Sequence, residues 1–355
     1  MAILWGDTMG AIMATIFAAD IGGTKSEVAI FPLNNADGGA LVQKRYVNAA
    51  FSGIDRILED FLAGLEQPPR LACLAVAGMV SGDRARMTNL PWELDRRRLE
   101  QRFGFSRVVL INDLTAVGSS LAMLEPGDLL EIQAAPGGAG EVRGVIAPGT
   151  GLGEGLLVEC GGQEFVRGSE GGHTDFAPVD EEQLALLIWM RKKREPVSYE
   201  MLIAGPGLAN LYDFCKEYHH MAESAWIVEA MRTAQDRIPA IVAGVIGATG
   251  SSGEKPCPLC RRVIDLFLSI LGSEAGNLAL KLYAKGGIYL GGGILPRLIG
   301  HVQFDGFLQS FHAKGQMAGF MRDIPVNVIL RRDAALIGAA RYGRLALHKR
   351  QSDGW

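Results

Sequence analysis

Short apolar runs recur along the chain and alternate with longer segments in which the apolar residues have helical spacing. The runs at residues 16–19 and 28–31, and the stretch LACLAVAGMV at residues 71–80, predict buried strands. The segment SGIDRILEDFLAGLEQ predicts a helix, because its apolar residues return every three or four positions. This alternation of strands and helices favours an α/β protein.

A glycine turn separates the first two predicted strands, in the stretch FAADIGGTKSEVAIF at residues 17–31. Glycines at the tip of a hairpin expose backbone N–H groups and allow another group to approach closely, which suits a phosphate. The stretch differs from a Walker loop, which needs a strand, a loop and a helix with a Gly-Lys-Ser/Thr ending. A tight hairpin with a solvated Asp20 would have the same sequence, and that alternative stays open.

The same pattern returns in RGVIAPGTGLGEGLLVEC, at residues 143–160. Gly23 and Thr24 in the first turn correspond to Gly149 and Thr150 in the second. The repetition predicts a duplicated architecture in which two glycine turns hold one polyphosphate from both sides. The alternative is a pair of unrelated β-hairpins.

Polar residues follow the apolar run in RVVLINDLTAVGSSLAML, which predicts a strand that leads into a helix. In an open α/β sheet, ligands bind beyond the carboxyl ends of the strands, where Asn112 and Asp113 lie. A rigidly held carboxylate there could accept the proton of an attacking hydroxyl. One of the two residues could instead be the N-cap of the following helix.

The second half of the chain becomes mainly helical. In DEEQLALLIWMRKKREP, Asp180 is a candidate N-cap and Gln183 completes a capping box. RRVIDLFLSILGSEAGNLALKLY predicts a long apolar helix, and DAALIGAARYGRLAL predicts a last helix with a face of small residues. Between them, GGIYLGGGILPRL predicts a strand that opens into Gly291, Gly292 and Gly293, with room for a flat ring or a ribose.

Composition narrows the classes of function. A chain of 355 residues, 48% hydrophobic and 21% charged, predicts about two domains. The net charge of −4 argues against a nucleic-acid binder. Five scattered cysteines favour reduced thiols and a cytoplasmic setting, and the pair Cys257 and Cys260 supplies only two ligands, so no metal is assigned there.

The first thirteen residues lack the basic start of a signal peptide, and we expect them to be a loose leader, with ordered structure from about Ala14. The chain has no uninterrupted apolar run near the roughly 20 residues that a membrane helix needs. We therefore expect a soluble protein with no membrane partner.

Three glycine motifs in this order, DIGGT at residues 20–24, GTGLG at 149–153 and GGG at 291–293, resemble the sugar-kinase/actin-like ATPase superfamily. Within it the chain is similar to the bacterial glucokinases, through LINDLTAVG, GTGLGEG, EGGHTDFAP, VSYEMLIAGPGLANLYDF and AGNLALKLY…GGIYLGGGILPRL. These motifs run from about residue 15 to residue 342.

The resemblance implies a two-lobed actin-like ATPase (ribonuclease H-like) fold, with a duplicated α/β core and an interlobe cleft. Residues 1–122 plus 332–355 would form a small α/β lobe, and residues 123–331 a large one. The implied function is that of a glucokinase, which phosphorylates D-glucose to glucose 6-phosphate with ATP, Mg²⁺ and a carboxylate base. Glucose and ATP would be its ligands, and by the same resemblance we expect a homodimer.

The resemblance also implies roles for individual residues. Asp113 would be the catalytic base, and Asp20 would act at the Mg²⁺ ion. The residues implied to bind glucose are Asn112, Asp113, Glu170, His173 and Glu200. Those implied to hold the nucleotide are Asp20, Gly22, Gly23, Thr24, Lys25, Gly149, Thr150, Gly151, Gly291, Gly292 and Gly293. The chain departs from the usual pattern at Lys25, where many such glucokinases carry Asn, and at Ala204, where Ser is usual.

Several alternatives remain at this stage. The loop with Glu170, His173 and Asp175 could be a metal site or an exposed acidic loop, and Glu200 could be an N-terminal helix residue favoured by the helix dipole. A kinase for another hexose, or a catalytically silent sugar-responsive regulator, could have the same fold. Such a regulator would usually carry a helix-turn-helix, for which residues 1–13 are too short. An actin-like filament former would not need a carboxylate-rich sugar loop.

Overall fold

The computed structural model describes residues 14–34, 39–135, 140–234, 236–247 and 255–352. The expected leader at residues 1–13 lies outside the described residues. The chain divides into two compact units. The first combines the residues up to Met123 with those from Asp333 onward, and the second is Leu124–Arg332.

The first unit is built on a five-stranded sheet. Its strands and first helices are β1 (Thr15–Ile21), β2 (Lys25–Pro32), β3 (Val42–Val47), α1 (Ile54–Ala63), β4 (Leu71–Val76), β5 (Gly78–Ser81), β6 (Arg84–Met87), β7 (Glu93–Asp95), α2 (Arg96–Phe103), β8 (Arg107–Asn112) and α3 (Asp113–Ser120). The main sheet has the order β3-β2-β1-β4-β8, and β5, β6 and β7 form a small separate sheet. Strands β1, β4 and β8 are parallel, whereas β2 and β3 run antiparallel to their neighbours.

The core of this unit follows the predicted periodicity. The apolar face of α1 is buried against β1, where the rings of Phe17 and Phe61 lie 5.7 Å apart at an edge-to-face angle. Ile57 and Leu58 are fully buried, and burial of each such side chain contributes about 1.5–3 kcal/mol to folding. The hairpin β1–β2 and the passage from β8 into α3 were both predicted, and the structure has them.

One strand prediction is wrong. The stretch at residues 71–80 is two strands in different sheets rather than one buried strand, because β4 ends at Val76 and β5 begins at Gly78. At Gly78 the chain passes directly over β6, where an added Cβ would lie 2.2 Å from the Arg86 carbonyl oxygen. That close approach needs glycine, and it turns the chain away from the main sheet.

The second unit has a six-stranded sheet and most of the helices. Its elements are β9 (Leu129–Gln133), β10 (Val142–Pro148), β11 (Leu152–Cys160), β12 (Gln163–Ser169), α4 (Glu181–Arg191), α5 (Glu200–Ile203), α6 (Gly205–Tyr218), α7 (Ala225–Thr233), α8 (Ile238–Ile246), α9 (Pro258–Leu282), β13 (Ile288–Leu290), α10 (Leu295–Leu298), α11 (Asp305–His312), α12 (Ala318–Arg322) and β14 (Val326–Ile329). The strand order is β12-β11-β10-β13-β14-β9.

Five strands of this sheet repeat the pattern of the first unit. In both, an antiparallel three-stranded meander is followed by two further strands parallel to its inner strand, β1 in the first unit and β10 in the second. The glycine turns at residues 22–24 and 149–151 occupy equivalent places, between the inner and middle strands of each meander. The repeated motif seen in the sequence is therefore part of a repeated topology.

Helix α9 is the central helix of the second unit. By length and composition it could cross a membrane, but 78% of its apolar window is buried inside the protein, as in the core helix of a soluble protein. Cys257 and Cys260 are buried at its N-terminal end.

At α4, Asp180 is the N-cap, as predicted, and accepts a hydrogen bond from Gln183 N at 2.8 Å. The predicted capping box is displaced by one residue, because Gln183 Oε1 accepts from Val179 N rather than from Asp180 N.

The chain returns to the first unit in its last helix, α13 (Ala334–Ser352). Its small-residue face lies directly against α3, and a Cβ at Gly338 would be 1.8 Å from the Ala116 carbonyl oxygen. The predicted close packing of this face is found there. Because α3 begins at Asp113, this packing fixes the helix that carries the predicted base.

Candidate functional site

The glycine turn of the first unit is held in shape by a residue that no sequence motif marked. Asn48 is buried, and its Nδ2 donates to the Gly22 carbonyl oxygen at 2.8 Å. Its backbone N–H donates to the Thr24 carbonyl oxygen at 2.9 Å, and its Oδ1 accepts from Ser26 Oγ at 2.8 Å. Within the turn, Gly22 N donates to Lys25 O at 3.0 Å. Asn48 therefore ties both sides of the turn to the sheet.

Asp20 is half-buried at the end of β1 and faces other carboxylates. Burial, followed by the charges of Asp113 and Glu27, raises the pKa of Asp20 to about 7, while Lys25 lowers it. Asp20 and Asp113, which the sequence places 93 residues apart, are thus close enough to interact electrostatically. A carboxylate with negative neighbours is a suitable oxygen donor for a hard divalent cation, so the residues fit a Mg²⁺ ion.

Lys25 opens strand β2 and its side chain is 56% exposed. Its Nζ lies 3.5 Å from Glu27 Oε1, and the same oxygen is 2.6 Å from Nη2 of Arg45. Because Arg45 also neutralises Glu27, the Lys25 ammonium can turn toward an anionic ligand without leaving Glu27 unpaired.

Asn112 and Asp113 lie at the junction of β8 and α3. Asn112 is the N-cap of α3, since its Oδ1 accepts from Leu114 N at 2.9 Å, and its Nδ2 donates to Gly78 O at 3.2 Å. Asp113 is the first residue of the helix, and its Oδ1 also accepts from Leu114 N, at 3.0 Å. Asn112 is therefore the N-cap that the sequence allowed for one of these two residues, and Asp113 follows it as the first residue of the helix.

The glycine turn of the second unit is bonded to Glu200. Gly149 N donates to Gly151 O at 2.8 Å, and Gly205 N donates to Gly149 O at 2.7 Å. Leu152 N, directly after the turn, donates to Glu200 Oε2 at 2.8 Å. A Cβ at Gly151 would lie 2.7 Å from that same oxygen, whereas at Gly149 nothing lies within 3.9 Å. A side chain at position 151 would therefore displace the Glu200 carboxylate.

Glu170, His173 and Glu200 lie together in the second unit, and we call them the sugar cluster after the role that the sequence resemblance implies for them. His173 Nδ1 is 3.8 Å from Glu200 Oε1, and His173 Nε2 is 3.9 Å from Glu170 Oε2. Glu170 and His173 follow β12 in a short 3₁₀ turn, in which His173 N donates to Glu170 O at 3.0 Å. Their side chains are 65% and 55% exposed, and that of Glu200 is 31% exposed. The structure therefore brings together three residues that were predicted to share a function.

Among the described residues, side chains positioned to hold one metal ion are found elsewhere, at Glu182, Cys215 and His219. There the guanidinium of Arg262 pairs with Glu182 and lies 3.3 Å from His219 Nε2. A cation already occupies this position, so the group is an ion-pair cluster. The metal alternative for the sugar cluster gains no support from it.

The third glycine motif follows β13. Gly291 N donates to Ile146 O at 2.8 Å, and Gly292 has a positive φ of 83°. A Cβ at Gly292 would lie 2.1 Å from Pro148 O, whereas nothing lies within 4 Å of one at Gly293. The predicted strand–glycine–helix junction is present, and the space beside Gly293 is open. Pro148 directly precedes the glycine turn at 149–151, so the two motifs are adjacent within this unit.

Comparison with known proteins identifies the family of this chain. The glucokinase family model matches residues 17–346. A glucokinase from Nostoc punctiforme is 37% identical over 337 residues, which cover 92% of this chain and 98% of the relative. The crystal structure of a glucokinase from an Antarctic psychrotroph is 30% identical, with a TM-score of 0.74 over 94% of this chain and 99% of that chain.

A more distant structure, a ROK family glucokinase from Streptomyces griseus in complex with glucose and AMPPNP, is 19% identical, with a TM-score of 0.60 over 94% of this chain and 100% of that chain. At this identity it supports the fold alone, an α/β two-domain sugar kinase fold. The predictions of a glucokinase and of an ATP-dependent hexose kinase are confirmed by the family match and the relatives. This chain belongs to the glucokinase family.

Proposed function

We propose that the enzyme transfers the γ-phosphoryl group of Mg²⁺-ATP to D-glucose, giving glucose 6-phosphate, with Asp113 as the general base. The observation that carries the proposal is the position of Glu200. One oxygen, Oε1, faces His173 in the sugar cluster, and the other, Oε2, accepts from the backbone at the end of a glycine turn. A single carboxylate thus links the residues proposed to bind the sugar with those proposed to hold the phosphates.

The sugar cluster suits a polyhydroxylated ligand. An ionised carboxylate can accept hydrogen bonds from two vicinal hydroxyl groups, and imidazole can donate to or accept from a third. We propose that Glu170, His173 and Glu200 bind glucose hydroxyls in this way, together with Asn112 and Asp113. The amide of Asn112 keeps this capacity as an N-cap, because its oxygen has a second lone pair and its nitrogen a second hydrogen.

The glycine turns suit the nucleotide. We propose that the phosphates are held by Gly22, Gly23, Thr24 and Lys25 in the first unit, and by Gly149, Thr150 and Gly151 in the second. Gly291, Gly292 and Gly293 would lie on the adenosine side, where the open position at Gly293 leaves space. Phosphoryl transfer depends mainly on such positioning and on charge neutralisation.

The acid–base chemistry falls to Asp113. The hydroxyl on carbon 6 of glucose loses its proton to the Asp113 carboxylate as its oxygen attacks the γ-phosphorus and ADP leaves. Asp20 would hold the Mg²⁺ ion, which when bound neutralises charge on the phosphate oxygens. Because Asn112 and the packing of α13 fix the start of α3, the base is held rigidly.

We also infer the two-lobed actin-like ATPase (ribonuclease H-like) fold, with lobes at residues 1–122 plus 332–355 and at 123–331, which the repeated strand order supports. The odd number of cysteines supports a cytoplasmic location.

We propose a homodimer, supported by the exposed apolar residues Leu184 and Ile188, one turn apart on α4. Sedimentation of the wild type and of a Leu184→Glu, Ile188→Glu variant tests this, and a monomeric wild type would contradict it.

The function is tested by coupled ADP release across a panel of hexoses, with and without Mg²⁺. We expect Mg²⁺-dependent release that is fastest with glucose. Faster ADP release with another hexose would favour the alternative that the enzyme is a kinase for that hexose. Sugar binding by calorimetry without ADP release from any sugar would favour a catalytically silent regulator.

Substitution of the two glycines of the second turn is expected to separate nucleotide from sugar binding. Gly149→Val places its side chain where the phosphates approach, so ATP binding should weaken while glucose binding persists. Gly151→Val also displaces the Glu200 carboxylate, so glucose binding should weaken at least about 10-fold as well. Calorimetry with each ligand on folded protein measures both, and equal glucose affinity in the two variants would contradict the role of Glu200.

A further inference from the structure

Glu154 lies beneath the loop that carries two members of the sugar cluster. It belongs to β11 and is 2% exposed. A Cβ at Gly171, between Glu170 and His173, would lie 2.0 Å from Glu154 Oε2. The loop backbone therefore rests directly on this carboxyl group. Within the described part of the chain, Glu154 Oε1 has no hydrogen-bond partner, although it is buried.

A second buried carboxyl group, that of Glu274, acts on Glu154 through its negative charge. Glu274 of α9 is completely buried, and its Oε2 accepts from Asn277 Nδ2 at 2.8 Å. Its Oε1 also has no hydrogen-bond partner among the described residues, and the nearest cation is Nζ of the exposed Lys281, at 3.5 Å. Glu274 therefore has a hydrogen-bond donor and an ion-pair partner, whereas the buried Oε1 of Glu154 has neither among the described residues, and a proton on the Glu154 carboxyl group would remove its uncompensated charge.

The surroundings favour retention of that proton. Burial, followed by the negative charge of Glu274, raises the pKa of Glu154 to about 7, and Lys281 lowers it. Two further ionisable groups, Tyr199 and Lys314, face Glu274. Lys314 Nζ donates to Ser273 O and Asn277 Oδ1 at 2.9 and 2.7 Å, so its charge is directed mainly at those oxygens.

The same network reaches the other member of the sugar cluster. Asn277 Nδ2 lies 3.2 Å from Tyr199 Oη, and Tyr199 directly precedes Glu200. Tyr199 N donates to the carbonyl oxygen of Thr174, one residue after His173, at 3.1 Å. Both segments that carry the sugar cluster are therefore supported by this buried network.

We propose that the Glu154 carboxyl group is protonated and in that form positions the loop at Gly171, so that glucose affinity falls when the proton is lost to solvent. Loss of the proton leaves an uncompensated buried charge on Glu154, which is relieved if the loop lifts from Glu154 and admits water. Glu154 is then a positioning residue, since it acts through the loop. This inference rests on the proposed sugar role of Glu170, His173 and Glu200.

The test is the pH dependence of glucose binding, measured by calorimetry without nucleotide, so that catalysis by Asp113 does not enter. From about pH 6 to about pH 9, we expect the wild-type Kd to rise about 5-fold, in the range of ordinary coupling between sites. Glu154→Gln, which keeps the shape and cannot ionise, should remove most of that rise. Glu159→Gln is the matched control, because Glu159 lies on the same strand with a 41% exposed side chain, and it should behave as the wild type.

A pair of further variants tests the contact itself. Gly171→Ala should weaken glucose binding, because its Cβ meets the Glu154 carboxylate, and Glu154→Ala in the same chain should restore part of the affinity by making room. A rescue of this kind is not expected from a general loss of stability. A Glu154→Gln protein with the wild-type pH dependence, or a double variant without rescue, would overturn the inference and leave glucose phosphorylation untouched.

Protonation of Glu154 also has a readout that does not involve glucose. Since the pKa of Glu154 is raised from 4.5 to about 7 on folding, the stabilisation is complete below pH 4.5 and is lost as the pH rises through about 7. The pKa of Asp20 is also raised to about 7, so the free energy of unfolding should fall over this range in both proteins, and by less in Glu154→Gln than in the wild type. Equal losses in the two proteins would overturn the protonation of Glu154, whereas failure of the wild type to bind glucose would overturn the proposed function.

Discussion

Asp113→Asn is expected to lower kcat about 10²- to 10⁴-fold while glucose affinity changes little. The amide has nearly the shape of the carboxyl group and keeps an oxygen that can accept from Leu114 N, so the start of α3 should be preserved. It cannot accept the proton of the attacking hydroxyl. The loss therefore falls on the chemical step rather than on sugar binding.

A matched control is available in the same unit. Asp95 is the N-cap of α2, where its side chain accepts from Arg98 N at 3.0 Å, and it has no proposed part in the reaction. Asp95→Asn should keep nearly normal turnover with at most a small shift in Tm. Steady-state kinetics and thermal melts of both variants separate a role as catalytic base from a role in supporting the helix. If Asp113→Asn also keeps near-normal turnover, Asp113 only supports the helix and the proposed mechanism is wrong.

Local patterns were sufficient for much of the fold. The hairpins around the two glycine turns and the helix at residues 54–63 have strong signals within short windows, and all of them are found. The division of residues 71–80 into two strands could not be predicted in this way. It depends on β6, which passes against Gly78, and an apolar run does not show which sheet each half will join.

The sequence motifs predicted which residues belong to the candidate site, but not the contacts and distances between them. The hydrogen bond from Leu152 N to Glu200 joins residues 48 positions apart, and no periodicity relates them. Asn48 belongs to no motif, although it holds the first glycine turn. Glu154 lies in the motif GTGLGEG on an alternating strand, where a charged residue would be expected to face solvent, and only the position of the loop at Gly171 shows that it is buried.

Truncation of the sugar cluster is expected to lower kcat/KM for glucose about 10- to 200-fold for each charged hydrogen bond that is lost. In Glu170→Ala and His173→Ala, the sugar hydroxyl that was bound loses its partner in the complex. The loss should be large for glucose and smaller for the deoxy-glucose that already lacks the contacted hydroxyl, because that contact was absent beforehand. ATP binding without sugar should barely change in either variant.

Kinetics across a series of deoxy-glucose analogues measures this difference. Asp175→Ala is the matched control, since Asp175 is an exposed carboxylate in the same loop that pairs with the chain at Ser198 and has no proposed contact with sugar. If the loop were merely acidic, Glu170→Ala and Asp175→Ala would have the same small effect on every sugar. A metal site would instead give sensitivity to chelators at saturating Mg²⁺-ATP and an equal loss for all analogues. A loss confined to one hydroxyl position identifies the atom that each side chain contacts, and a uniform loss would overturn the assignment of Glu170 and His173 as sugar ligands.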